Sequence, residues 1–217
     1  MQPIFVIGAP RSGTSAIVAA LRRGADIPGY NEGHVLPLLN QLHQTVDDYF
    51  GALDKRILEV KDRQLIGWLD PDELKAHITS KFLQIIEARL GTDVWVDKTP
   101  GSLMIEAVPR LATIFPKARF IFAKRRGIEN VLSRTVKFPQ NPFEAQCKFW
   151  AQCMEKWLCV RDELPTERYI EVDLHDLSLH LEDTANRIGA FLALTEQQMK
   201  GIKEVWLTDR PEQSRAA

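Results

Sequence analysis

The chain has few of the features that mark specialised protein classes. Its three cysteines, Cys147, Cys153 and Cys159, have the spacing of neither a zinc site nor a redox pair and fall in one helical pattern, which leaves them as packed or inert thiols. Disulfides are not expected, and a reducing compartment, the cytoplasm, is the expected location. No apolar run is long enough to span a bilayer. The N-terminus has no charged n-region, and its apolar stretch breaks at Gly8 and Pro10, so a signal peptide is not expected. Charge of neither sign dominates: 28 Lys and Arg against 29 Asp and Glu leave a net −1. Bulk charge therefore implies no nucleic-acid partner. No repeat, low-complexity segment or Gly/Ser linker interrupts the sequence. One domain over residues 1–217 is expected, and 45% hydrophobic content is enough for a full core.

One further absence is local. Residues Pro3–Ser15, PIFVIGAPRSGTS, run from a short apolar stretch through Gly8-x-x-x-x-Gly13 into a helical pattern. This is how a buried strand feeds a phosphate-cradling turn at a helix N-terminus. An ATP or GTP loop needs lysine directly after the second glycine to reach the β- and γ-phosphates. Here Thr14 occupies that place, followed by Ser15, and the cation, Arg11, lies inside the loop. The pattern suits an anion on a nucleotide held without magnesium or a γ-phosphate.

Apolar runs at Ile4–Ile7, Val94–Val96, Phe120–Ala123 and Tyr169–Val172 read as buried parallel strands. Helical patterns alternate with them. The first carries Ile17, Val18 and Leu21 and stops near Gly24. Another starts at Asp70-Pro71-Asp72-Glu73, with an N-cap and a first-turn proline, and ends at Gly91. Further helices are expected near 34–50, 102–115 (kinked or shortened by Pro109), 127–136, 142–163, 178–192 and 195–206. The alternation predicts an α/β, P-loop-containing fold: a parallel sheet of about four to five strands flanked by helices.

Three more segments place reactive groups at strand ends or in connections. In RFIFAKRRGIENVLSR, residues 119–134, a strand ends in Lys124-Arg125-Arg126, and the following helix carries Ser133 two turns beyond Arg125. An arginine with such a hydroxyl can clamp a second phosphate, although an arginine at a strand end is more often a solvated group. For Lys117 and Arg119 the solvated surface is the preferred reading. In VWVDKTPG, residues 94–101, a strand delivers Asp97 and Lys98. Lysine there can meet a leaving group; equally, Asp97 can cap the turn and Lys98 lie on the surface. In Asn31-Glu32-Gly33-His34 a carboxylate and an imidazole lie two apart in a connection. Either could act as a general base, or Glu32 could simply favour a helix N-terminus. Open α/β sheets bind ligands at C-terminal strand ends, where these segments converge.

Together these segments resemble the sulfotransferases that use 3′-phosphoadenosine 5′-phosphosulfate (PAPS), in particular the bacterial PRSGTS-type enzymes and the tyrosylprotein sulfotransferases. The resemblance covers residues 3–36, 93–135 and 168–192 in matching order. It implies that Pro10–Ser15 is the 5′-phosphosulfate loop, with Arg11, Ser12, Gly13, Thr14 and Ser15 holding the cofactor. It implies that Arg125 and Ser133 hold the 3′-phosphate, that Lys98 lies near the bridging oxygen and that Glu32 is the catalytic glutamate. His34 falls where the tyrosylprotein enzymes have arginine, and it stands as the second base candidate. The sequence also departs from the family: Arg126 replaces a frequent Asp, Ile128 replaces a second Arg, and Leu174-His175-Asp176-Leu177 replaces Y-E-D-L. The C-terminal RPEQSRAA is short for a cofactor-covering loop, with Arg210, Ser214 and Arg215 as partial replacements.

The resemblance implies in-line transfer of a sulfuryl group from PAPS, leaving 3′,5′-ADP, to a hydroxyl or amine of a small-molecule or peptide acceptor, with no metal required. Leu38, Leu39, Tyr49, Phe50, Trp68, Phe138, Phe143 and Trp150 are candidates for an acceptor pocket, with helix core the expected fate of most. A homo-oligomer could complete that pocket. Two alternatives stay open at this point: a P-loop kinase-like phosphotransferase, disfavoured by Thr14, and a non-catalytic nucleotide-binding relative of the sulfotransferase fold.

Overall fold

The computed structural model describes residues 1–59 and 64–209. Five parallel strands form one sheet: β1 (Gln2–Gly8), β2 (Gly29–Tyr30), β3 (Val94–Lys98), β4 (Arg119–Lys124) and β5 (Tyr169–Asp173). Their order is β2-β3-β1-β4-β5, with β1 at the centre. Val6 lies level with Lys98 on one side and Ile121 on the other, so the ends of three strands share one edge of the sheet. The expected α/β architecture with its parallel sheet is what forms. The two-residue β2 has too little apolar periodicity to be read from sequence. It exists because Gly29 and Tyr30 meet Val96 and Asp97 of β3.

The chain divides into two compact units, residues 1–34 with 92–217, and residues 35–91. In the first, side chains alternate across the sheet as the strand period requires. Ile4, Val6, Val96, Ile121 and Val172 share a buried cluster with Ile17, Val18 and Leu21 of helix α1 (Thr14–Ala19) and the π-helical turn Ala20–Gly24 that continues it. Later segments of the chain complete this layer. Helix α9 (Leu174–Leu179) adds Leu177, α10 (Leu181–Leu192) adds Ile188, and α11 (Glu196–Thr208) adds Ile202 and Trp206. The opposite face is aromatic. Phe5 packs edge-on against Trp95 and Phe115, and Phe122 stacks on Trp157 at 4.3 Å. Fully burying each such ring contributes about 1.5–3 kcal/mol.

Helices α5 (Ser102–Glu106), α6 (Val108–Ile114), α7 (Gly127–Lys137) and α8 (Phe143–Arg161) fill the remaining β-to-β connections of this unit. The single helix expected over 102–115 is two. Pro109 sits in the first turn of α6, where its missing N–H costs nothing, so the break falls before it at Ala107. The helix expected over 178–192 is preceded by α9 and starts at Leu181, because the Asp173 side chain caps α9 by accepting from His175 N–H at 2.9 Å. Cys147, Cys153 and Cys159 are free thiols on α8. Burial pushes the Cys153 thiol up to about 11, which leaves it unreactive.

The second unit contains α2 (Val35–Ala52), α3 (Lys55–Glu59) and α4 (Pro71–Leu90). Asp70 caps α4 by accepting from the N–H groups of Asp72 and Glu73, and Gly91 ends it at φ 64°. Helices α2 and α4 are joined by His43 to Thr79 at 2.8 Å and by Lys75 to Asp47 at 2.5 Å. Among the described residues, no helix is long and apolar enough to cross a membrane.

One backbone contact ties the ends of the first unit together. A methyl group on Gly201 of α11 would lie 2.0 Å from the Gly24 carbonyl oxygen, so α11 rests directly on the π-helical turn. Trp206 Nε1 donates to the Ala16 carbonyl at 3.0 Å beside it. Gly201→Ala is expected to lower unfolding stability by about 1–3 kcal/mol through overpacking. Thermal denaturation checks this, with a Tm loss of roughly 2–4 °C per kcal/mol expected for a chain of this size.

Candidate active site

The loop between β1 and α1 departs from extended backbone at Arg11 (φ 73°) and Gly13 (φ 93°). A non-glycine residue in this region costs about 1–3 kcal/mol and persists only where its surroundings hold it. Two residues from the β4–α7 segment do so. Asn130 Nδ2 donates to the Pro10 carbonyl at 3.0 Å and to Ser12 Oγ at 2.9 Å. Arg125, 5% exposed, donates from Nη1 to the Arg11 carbonyl at 3.1 Å. Asn130 is a site residue that the strand-end pattern alone does not single out. Its signal was available: asparagine is a poor helix-interior residue, and this one lies on the same helix face as Ser133, three residues on.

Gly13 caps α1 with no side-chain hydrogen bond, so the first N–H groups of the helix keep their donor capacity. Arg11 Nε donates to Ser133 Oγ at 3.1 Å, so these two candidates touch across 122 residues. Arg125 is more buried than Arg11 and lines the same cleft.

Lys98, at the end of β3, is 4% exposed. Its Nζ donates to Glu32 Oε1 at 2.6 Å and to Ser15 Oγ at 3.1 Å. Glu32 Oε2 lies 3.1 Å from His34 Nε2. The Lys98 hydrogen bond, opposed by partial burial and reinforced by Lys98 and His34 charge, holds the Glu32 carboxyl below its ordinary range. Glu32, Lys98, Ser15 and His34 therefore form one hydrogen-bonded chain.

The 31–34 loop is fixed from beneath. The buried Asp97 carboxylate accepts the Thr99 hydroxyl at 3.2 Å, and Thr99 Oγ1 accepts the His34 N–H at 3.1 Å. A Cβ on Gly33 would sit 1.9 Å from Asp97 Oδ1, so only glycine fits there. His34 adopts φ 54°, a second strained residue in the same site. Asp97 thus acts as more than a turn cap.

Arg11, Thr14, Ser15, Glu32, Lys98 and Arg125 line one cleft of about 320 Å³, together with Pro10, Gly13, Ala16, Pro100, Lys137, Phe138 and Leu174. Four cations face one carboxylate, beside an uncapped helix end, and this set fits an anionic group. Leu174 stands where the aromatic of Y-E-D-L was missing and packs beside Gly13. Of the acceptor-pocket candidates, Phe138 lines the cleft. Leu39 is fully buried, whereas Leu38, Tyr49, Trp68 and Phe143 are exposed. Two other basic residues of the 117–126 run serve structure. Lys124 pairs with Glu171 at 2.9 Å, and Arg119 donates to the Glu167 carbonyl. Arg210, Ser214 and Arg215 lie outside the described residues.

A strand, loop and helix start at the centre of a parallel sheet, with a lysine–glutamate pair lining the cleft beside them, define a P-loop-type α/β fold. The chain belongs to the sulfotransferase family, whose model matches residues 3–198. Among characterised proteins it is 26% identical over 209 residues to the Drosophila melanogaster protein-tyrosine sulfotransferase, covering 88% of this chain and 38% of that protein. The chain thus spans well under half of that relative's length. The sulfotransferase domain of the Synechococcus PCC 7002 olefin synthase shares the fold, with a TM-score of 0.63 and 19% identity over 91% of this chain and 76% of that one. The sulfotransferase domain from the curacin biosynthetic pathway does so at 0.57, with 19% identity and the same coverage. Sulfotransferase STF9 from Mycobacterium avium follows at 0.56, with 16% identity over 97% and 69%.

Burial without a directly paired cation pushes the Asp97 carboxyl up from 3.8 to about 6. The folded state therefore binds this proton more tightly than the unfolded chain. The contribution is fully present below about pH 4 and is lost as pH rises through 6, a change of about 3 kcal/mol. Asp97→Asn removes this dependence. Denaturant unfolding from pH 4 to 7 is expected to move the stability difference in favour of the variant by up to that amount. A difference that does not vary with pH would exclude a raised Asp97 pKa.

Proposed function

We propose that residues 1–217 act as a single sulfotransferase domain that moves a sulfuryl group from PAPS to a hydroxyl, or an amine, of an acceptor. The observation that carries this reading is Lys98 Nζ, held between the Glu32 carboxylate and the Ser15 hydroxyl of the loop. One cation thereby links the base to the anion cradle.

PAPS supplies a sulfuryl group already activated by a phosphate leaving group. The N–H groups of Ser12–Ser15 and the start of α1 would hold its 5′-phosphosulfate, and Arg125 and Ser133 its 3′-phosphate. Arg11 reaches both regions, since its backbone forms the loop and its side chain meets Ser133. Arg11 and Lys98 offset negative charge that grows on the bridging oxygen; preorganised donors of this kind contribute about 3–4 kcal/mol each. Glu32 accepts the proton of the acceptor hydroxyl, a role worth roughly a hundred- to ten-thousand-fold. The pairing with Lys98 also couples the two functions. An anion that draws Lys98 Nζ away from Glu32 removes the main cause of its lowered pKa and makes it a stronger base. His34, hydrogen-bonded to the same carboxylate, orients it and is the second candidate for the base.

Thermal stabilisation tests the ligand. With 3′,5′-ADP at a hundredfold over its Kd, stability is expected to rise by about 2.7 kcal/mol. A preference for ATP–Mg would overturn the proposal in favour of a phosphotransferase. Glu32→Gln is expected to leave 3′,5′-ADP binding in place while PAPS turnover with hydroxyl acceptors falls at least about a hundredfold. Unchanged turnover would remove Glu32 as the base and leave His34.

A further inference from the structure

We infer that Thr99 is a positioning residue for the reaction: together with Asp97 it pins the 31–34 connection so that the Glu32 carboxylate meets Lys98. This rests on the reading of Glu32 as the base of a PAPS-dependent transfer. Thr99 directly follows β3 and is 4% exposed. Its hydroxyl is used twice. It donates to Asp97 Oδ2 at 3.2 Å and accepts the His34 N–H at 3.1 Å, a contact across 65 residues of sequence. A threonine that only closed the turn after β3 would bond within its own segment. This one holds another segment.

The residues on both sides of Glu32 are held. Before it, Asn31 Oδ1 accepts Arg22 Nη1 of the π-helical turn at 2.7 Å. After it, the Gly33 N–H donates to the Asp97 carboxylate, and a Cβ on Gly33 would lie 1.9 Å from Asp97 Oδ1. His34 holds φ 54°, a conformation that persists only where its surroundings fix it, and Thr99 binds its N–H. Strand register brings these partners together, since Tyr30 of β2 lies level with Asp97 of β3. The connection is thus anchored at Asn31, Gly33 and His34, and Glu32 directs its carboxylate to Lys98 at 2.6 Å and His34 at 3.1 Å. The titratable groups that face Glu32 are Lys98 from β3 and His34 from its own connection. Ser15 of α1 meets Lys98, and Arg11 and Arg125 line the same cleft. Thr99 is uncharged, so replacing it removes none of these charges. It changes only where Glu32 lies among them.

The test is an NMR titration of the Glu32 carboxyl carbon, assigned with Glu32→Gln, on the full chain without nucleotide. In the wild-type chain Glu32 is expected to titrate below its ordinary range, because Lys98 binds its charged form. Thr99→Val keeps the side-chain shape and removes the hydroxyl. It is expected to raise the Glu32 midpoint, with the acid dissociation constant falling at least about threefold as the Lys98 contact is lost. Thr99→Ser retains the hydroxyl and is expected to keep the wild-type midpoint. A role in stability alone would lower the Tm of Thr99→Val and leave Glu32 unmoved. Gly33→Ala displaces the connection from the Asp97 side and is expected to raise the midpoint as well, which carries the test where Thr99→Val does not fold. An unmoved midpoint in the folded variants, or an equal rise in Thr99→Ser, would overturn the role of Thr99. Wild-type chain that binds ATP–Mg in preference to 3′,5′-ADP would instead overturn the PAPS reading, which separates the two failures.

Discussion

Strand β1 is hydrogen-bonded along both edges to parallel strands, and the site hangs from that arrangement. The register sets Val6 level with Lys98 on β3 and Gly8 level with Ala123 on β4. Because all strands run the same way, three connections leave the sheet at one edge. Chain order reverses across β1, which opens a crevice between the connections. The loop after β1 brings Arg11 and Ser15, the end of β3 brings Lys98, and the segment after β4 brings Arg125, Asn130 and Ser133. An antiparallel neighbour would have sent one of these groups to the far edge.

The loop itself is costly to hold. Arg11 and His34 both adopt left-handed backbone, and both are within one hydrogen bond of another site residue. Their neighbours offset that cost. Asn130 and Arg125 bind the carbonyls of Pro10 and Arg11, and Thr99 and Asp97 secure the connection that carries Glu32. Burying Asp97 without a salt bridge raises its pKa, so the support for the connection that carries Glu32 is itself pH-sensitive. The site is preorganised by polar contacts from beneath, and the aromatic layer under β1, β3 and β4 keeps those contacts in place.

Much of the fold was legible because its signals are local. Apolar runs mark β1, β3, β4 and β5, and Asp70-Pro71 and Gly91 mark the ends of α4. Signals spread over distant segments were less legible. Strand β2 has two residues and no pattern of its own. The break at Ala107 depends on where Pro109 falls within a turn. Asn130 carries only the weak local signal of an asparagine inside a helix, and its partners, Pro10 and Ser12, lie 120 and 118 residues away.

The sequence by itself determined that a phosphate-type loop lacks the lysine of a triphosphate site, and that Glu32, Lys98, Arg125 and Ser133 stand at strand ends or in connections. These follow from residue type and short-range spacing. Only the tertiary structure decided which of them meet. It paired Lys98 with Glu32, set Arg11 on Ser133 and tied Arg125, which also lines the cleft, to the Arg11 carbonyl. The physical reason is that these contacts span 66 to 122 residues of sequence, and no local preference encodes a distance that only strand register and helix docking create.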